Sequence, residues 1–202
     1  MSYLYEGNNL PGSDGEHNMQ KAFQTTQKAK DFYNRQMLDY LADDMQQFIQ
    51  KQEMMFIATS DSRGECDNSF RSGEAGFVTV IDEKRVAYAD YKGNGVLASA
   101  GNISENPHIG MLFVDFFENK IGLHVNGKAK LLNETEMKDI CESVNKTMHI
   151  EVNQKSVFWV LVEVEEAYIH CSKNIPILKK SDNLDENVKV PKVDFFNLQE
   201  GE

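Results

Sequence analysis

Between Asn18 and Gln50 the apolar residues Phe32, Met37, Leu38, Leu41, Met45, Phe48 and Ile49 recur at three- and four-residue steps. That spacing puts them on one stripe and predicts a helix whose apolar face covers the core. Asp31 is an N-cap residue type and marks a break from which Phe32–Gln50 would run. The pattern then changes to short apolar runs of strand character: 54–60 (MMFIATS), 77–81, 85–89, 109–117 (IGMLFVDFF), 121–132 and 157–169. The first ends in a polar DSRGE turn, Asp82-Glu83-Lys84 joins the second and third at hairpin spacing, and Glu118-Asn119-Lys120 makes another tight turn. Two further helices are predicted: Asn94–Glu105, stopped by Asn106-Pro107, and Asn133–Met148, opening on an Asn N-cap with acids in its first turn. Five or more strands joined mainly by short turns, with helices inserted, predict a small antiparallel barrel rather than a doubly wound sheet.

The segment 1–17 is polar and glycine-rich and reads as an arm, 18–178 as the folded domain, and 179–202 as an acidic tail carrying Phe195 and Phe196. The length of 202 residues fits one such domain, and a 41% hydrophobic fraction with 12 Phe is enough for a core. The net charge of −11 argues against a nucleic-acid backbone as partner, though not against one basic pocket for a small phosphate. No run approaches the roughly 18 apolar residues of a membrane span, so no membrane partner is expected. The chain begins without the basic start and apolar block of a secretory signal, and its 3 cysteines, Cys66, Cys141 and Cys171, lack CxxC spacing. A cytoplasmic protein with reduced thiols is the expectation.

The sequence contains no GxGxxG, no GxxxxGK[ST], no GxSxG and no HExxH. None of the 5 histidines lies three or four residues from another or from a cysteine, so no metal site is expected. Anion chemistry is concentrated in two places. Ser69-Phe70-Arg71-Ser72-Gly73 combines a guanidinium, two hydroxyls and a flexible glycine, and Asp90-Tyr91-Lys92-Gly93-Asn94-Gly95 adds an ammonium and an amide where a helix is to begin. A phosphomonoester needs fixed positive charge, neutral donors and backbone N–H groups aimed at one point. The two segments converge only if residues 77–89 fold back as a hairpin.

The run GFVTVIDEKRVAYADYKGNGVLASAGNISENPHIGMLFVDF, with IGLHVNGKAKLL and AYIHCSKNIPIL after it, resembles the flavin-binding relatives of pyridoxamine 5′-phosphate oxidase, in particular their predicted flavin-nucleotide-binding branch. The resemblance covers about Met54 to Leu178. It implies a mainly β (α+β) fold, a six-stranded antiparallel split β-barrel with flanking helices, and a homodimer with FMN at the subunit interface. Carried over by position, Arg71, Ser72, Lys92 and Asn94 would hold the phosphate, and Asp90 and Tyr91 would lie near the phosphate or the ribityl chain. The strand around Val78 and Thr79 would pass the edge of the isoalloxazine. His170 to Lys173 would approach the flavin from its other side or from the partner chain, and Asn126 with Gly127 would face the neighbouring subunit's cofactor. The chain has no arginine after Arg85. The C-terminal arginine with which the oxidase itself holds its substrate phosphate is therefore missing, and vitamin B6 oxidation is not expected.

An FMN-dependent oxidoreductase is the leading expectation, passing hydride between FMN and an unknown small substrate, with NAD(P)H one candidate donor. The alternatives are a non-catalytic flavin-binding or redox-sensing protein, and a split barrel that binds or degrades haem. Trp159 reads as core, interface or a stacking partner for the flavin. His124 and His170 read first as structural residues, and no general acid or base stands out.

Overall fold

The computed structural model describes residues 10–91, 93, 95–146 and 156–180. The N-terminal region is not one helix. It comprises α1 (Asp14–Ala22), α2 (Thr26–Gln36), a two-residue strand β1 (Met37–Leu38) and α3 (Asp43–Gln50). α1 starts inside the segment expected to be an arm, because Ser13 caps it by accepting the Glu16 N–H at 3.1 Å. The first break falls at Gln24, whose φ of 55° is left-handed. The second falls after Gln36, where Met37 and Leu38 pair with Tyr168 and Ala167 of the last strand. Asp31, the expected break point, lies within α2. Tyr33, only 3% exposed, donates its hydroxyl to Glu16 and accepts from Gln20 Nε2 at 2.6 Å, which ties α2 to α1. Burial, with the carboxylate of Glu16 beside it, pushes the Tyr33 phenol up to about 12.

The remaining elements are β2 (Met54–Ser60), β3 (Cys66–Ser72), β4 (Val78–Asp82), β5 (Arg85–Tyr91), α4 (Ala98–Glu105), β6 (His108–Val114), β7 (Gly122–Leu132), α5 (Glu134–Ser143) and β8 (Ser156–His170). They form one antiparallel sheet of eight strands in the order β3-β2-β6-β7-β8-β5-β4, with β1 added on β8. The class is the expected one, mainly β with helices, but two strands exceed the six expected. β1 is too short to show periodicity, and β3 is too polar to read as a strand. The β6 strand stops at Val114 rather than Phe117. There the Asp115 carboxylate accepts the backbone N–H groups of Phe117, Glu118 and Asn119 at 2.9–3.0 Å and winds the chain into a turn. Burial opposes ionisation of Asp115, but these bonds outweigh it and hold the carboxyl below its ordinary value.

The concave side of the sheet encloses a core built around Ile57, Val86, Tyr88, Phe113, Val125 and Val162. On the other side Trp159 is fully buried with Ile81, Leu132, Met137 and Cys141 beneath α5. Trp159 is therefore a core residue, and burial raises the Cys141 thiol above its ordinary value. α5 begins with a capping box: Asn133 accepts the Glu136 N–H, and the Glu136 carboxylate accepts the Asn133 N–H. Its expected extension to Met148 includes residues 147 and 148, which lie outside the described residues, as do Phe195 and Phe196 of the tail. Before that point the chain is anchored by Lys180, which pairs with Glu53 at 2.6 Å. Among the described residues no helix is long and apolar enough to cross a membrane.

Candidate functional site

β3 pairs with β2 along its whole length, placing Arg71 opposite Met55 and Ser72 opposite Met54. Side chains of a strand alternate between faces, so Asp67, Ser69 and Arg71 share one half-buried face while Cys66, Asn68, Phe70 and Ser72 are exposed on the other. The inward row meets the end of β5 and the start of α4. The three segments enclose a cleft of about 450 Å³ lined by Asp67, Ser69, Arg71, Asp90, Tyr91 and residues 95–100, with Gly93 at its edge.

Within this cleft the Arg71 guanidinium donates through one terminal nitrogen to Asp90 Oδ2 at 3.0 Å and through the other to Ser69 Oγ at 2.8 Å. Its Nε is buried beside the hydroxyl of Tyr88, the two interacting without forming a well-aligned hydrogen bond; Tyr88 precedes Asp90 by two positions on the same face of β5. Burial raises the Tyr88 phenol, Asp90 adds to that, and the Arg71 charge opposes it. On the opposite wall Ser99 Oγ donates to Asp67 Oδ2 at 2.9 Å. Ser99 belongs to the first turn of α4, which Leu97 precedes with a left-handed φ of 55° and no side-chain capping bond. The first-turn N–H groups and the guanidinium thus border one concavity, an arrangement suited to an anion. Among the described lining residues this one guanidinium faces the two carboxylates Asp67 and Asp90.

Of the residues singled out in the sequence, Arg71, Asp90 and Tyr91 come together here. Lys92 and Asn94 lie outside the described residues. Ser72 is adjacent in sequence but points to the other face of β3. Val78 is fully buried in the core and lies opposite Tyr88, with the buried Thr79 next to it on β4, the strand at the far end of the sheet from β3. Asp67, Ser99 and Tyr88 were not singled out; the start of a helix was, but expected at Asn94, whereas α4 begins at Ala98. Asp67 was legible in principle, since Asp67, Ser69 and Arg71 stand two apart.

Asn126, His170 and Lys173 do not line this cleft. Asn126 donates to Glu166 Oε2 at 3.1 Å on the outer face of β7 and β8, and both residues border two other cavities, of about 440 and 590 Å³. In the same row His124 Nε2 and His170 Nδ1 share a hydrogen bond of 2.8 Å, and His124 stacks on Tyr168 at 4.7 Å between ring centroids. Burial, with the second imidazole beside it, holds His124 below its ordinary value. Lys173 sits exposed in a single 3₁₀ turn, Ser172–Asn174. No group of three or more metal-ligating side chains occurs among the described residues.

A family model described as pyridoxamine 5′-phosphate oxidase matches residues 41–171, more than half of the chain. The chain belongs to this family. The pyridoxamine 5′-phosphate oxidase match contains the sheet from β2 to β8, with α4 and α5, and leaves out α1, α2 and β1. No functionally curated protein matches the chain. Similar solved structures include a candidate pyridoxamine 5′-phosphate oxidase from Lactobacillus delbrueckii (17% identity, 66% of this chain and 98% of that one, TM-score 0.48). An FMN-binding protein from Syntrophomonas wolfei (13%, 78% and 97%, TM-score 0.46) and HupZ from Group A Streptococcus (20%, 63% and 92%, TM-score 0.46) are also similar.

Proposed function

We propose that this protein is an FMN-binding oxidoreductase, acting as a cytoplasmic homodimer, and that the cleft between β3, β5 and α4 receives the FMN phosphate. The observation that carries this reading is the juxtaposition of the Arg71 guanidinium with the first turn of α4 on one concave surface. The donor set fits a phosphate. Arg71 brings a guanidinium to the cleft wall, and Ser69 and Ser99 add hydroxyls. Lys92 and Asn94 stand between Tyr91 and Gly95 in the sequence and are proposed as further phosphate ligands, with Ser72 the weakest candidate because of its facing.

In this reading Arg71 orients the phosphate, Tyr91 borders the ribityl chain, and Val78 and Thr79 meet the ring edge through the backbone of β4. Bound FMN supplies hydride transfer to or from a small substrate, for which NAD(P)H is one donor. The protein's part is to hold the cofactor and to exclude water from its reactive edge. Asn126, His170 and Lys173 are proposed to face the cofactor of the second copy.

The test is a comparison of FMN with riboflavin, which differs only in lacking the phosphate. Arg71→Ala is expected to weaken FMN by about 1.5–3 kcal/mol, the range for a hydrogen bond to a charged group, or roughly tenfold to a hundredfold. Riboflavin affinity is expected to stay the same. Equal losses for both ligands place the phosphate elsewhere, and a protein that takes up neither ligand removes the flavin reading.

A further inference from the structure

Two aspartates stand on the donors that a phosphate would use. Asp90 accepts from Arg71 at 3.0 Å, with side-chain exposures of 24% for the arginine and 15% for the aspartate. Asp67 accepts from Ser99 at 2.9 Å at the first turn of α4, where no side chain of the preceding residue caps the helix. We propose that Asp90 and Asp67 are internal place-holders: their carboxylates occupy the anion positions of the ligand-free cleft, and phosphate capture is an exchange in which they are displaced from Arg71 and from the start of α4. The inference rests on the reading of the cleft as a phosphate site, and it assigns to these two residues the control of how tightly that site holds an anion.

The geometry gives the exchange its direction. Asp90 engages the guanidinium by a single contact, through one terminal nitrogen, and the Nε, buried beside the Tyr88 hydroxyl, bonds to neither carboxylate. A phosphate can grip two guanidinium protons at once and also accept from the helix N–H groups, so it offers these donors more than either carboxylate does. A phosphate entering with both carboxylates in place meets like charge in a half-buried cleft, which lowers affinity. The aspartates therefore have opposite effects on the two states. Asp90 neutralises Arg71 and Asp67 holds the Ser99 hydroxyl when the cleft is empty, and both oppose the anion when it arrives.

The experiment uses the full chain as wild type, Asp90→Asn and Asp67→Asn, with inorganic phosphate, FMN and riboflavin as probes, followed by calorimetry and thermal melting. In Asp90→Asn the side-chain amide keeps an oxygen to accept from Arg71 but carries no charge, leaving a half-buried cation without its counter-charge. Asp90→Asn is expected to melt at a lower temperature without ligand, to bind FMN and phosphate about tenfold more tightly, which is ~1.4 kcal/mol, and to leave riboflavin unchanged. Asp67→Asn leaves the Arg71–Asp90 pair intact and is expected to shift FMN and phosphate the same way, so the proposal remains testable if the first variant does not fold. Unchanged or weakened FMN and phosphate binding in the variants overturns the proposal, because it makes the aspartates holders of the site rather than its occupants. Phosphate binding to none of the three proteins overturns it as well. If wild type binds FMN no better than riboflavin, the flavin reading fails, and the inorganic phosphate measurement still decides the exchange.

Discussion

Gly127 offers a test of the sheet on which the site is built. At this point the register of β7 against β8 shifts: Asn126 faces Glu166 and Gly127 faces Val164, leaving Glu165 as an extra residue in β8. The bulge brings the β8 backbone so close that a Cβ on Gly127 would lie 2.0 Å from the Glu163 carbonyl oxygen and 2.9 Å from its carbon. Backbone cannot swing aside as a side chain does, so Gly127→Ala must part the two central strands by about 1.4 Å to reach an ordinary contact at 3.4 Å. Overpacking of this kind costs about 1–3 kcal/mol and a strained ladder hydrogen bond about 1 more, offset by roughly 0.5 from the lower entropy of the unfolded chain. The expected net loss is about 1.5–3.5 kcal/mol, read as a lower urea midpoint with an unchanged slope and a fall in Tm of roughly 3–14 °C. Gly101→Ala is the control. It sits in α4 with nothing within 4 Å of the new methyl, and it should stabilise by about 1 kcal/mol through helix propensity. An alanine at 127 that melts with wild type would refute the close approach of β7 to β8, and with it the register that turns Asn126 and Glu166 outward together.

Two further outcomes follow from the geometry. The Asp115 carboxyl sits below its ordinary value in the fold, so its bonds stabilise the protein above about pH 4, the unfolded value, and are lost as pH falls through the lower folded value. The stability difference between wild type and Asp115→Asn, followed by urea titration, should therefore be largest near neutrality and shrink below about pH 4; a constant difference would mean that the charge of Asp115 is irrelevant. The proposed homodimer should appear as twice the chain mass of 23.0 kDa in light scattering at micromolar concentration, and a strict monomer there removes the shared site.

The parts of this fold visible in the sequence are those where one face of an element meets the core. Residues 54–60, 85–89 and 121–132 carry the apolar character or alternation of such strands, and each coincides with an observed strand to within two residues. β3 escaped because CDNSFRS rests on the core with neither face; its alternation is one of half-buried polar against exposed, invisible to a hydrophobic pattern. That omission had a chemical consequence. With no strand recognised there, Arg71 and Ser72 looked like joint ligands; as a strand, they are separated by the pleat, and the residues that share a face with Arg71 become Ser69 and Asp67. Asp90 and Arg71 were both legible as residues of interest, but their pairing depends on β3 and β5 meeting across the cleft although they are far apart in the strand order. The breaks at Gln24 and after Gln36 carry no glycine or proline and are set by packing of α1 on α2 and by the pairing of β1 with β8.

The bulge at Glu165 also decides what the rest of β8 faces. Before it, Val160, Val162 and Val164 point into the core; after it, Ala167 takes the inward place, so Glu166, Tyr168 and His170 point outward. Without the extra residue the alternation would carry these three polar side chains into an apolar interior, where a half-satisfied carboxylate and imidazole would be costly. The outer row is thus a product of one register shift, and that shift requires a glycine at 127. Arg71, Asp90 and Tyr91 meet at one cleft while Asn126, Glu166, His124 and His170 form a separate surface on the same subunit. A shared cofactor site unites the two sets only if a second copy brings its own outer row to the first copy's cleft. The association measurement and the FMN measurement therefore stand or fall together in this reading, whereas the Gly127 result bears on the scaffold that makes either possible.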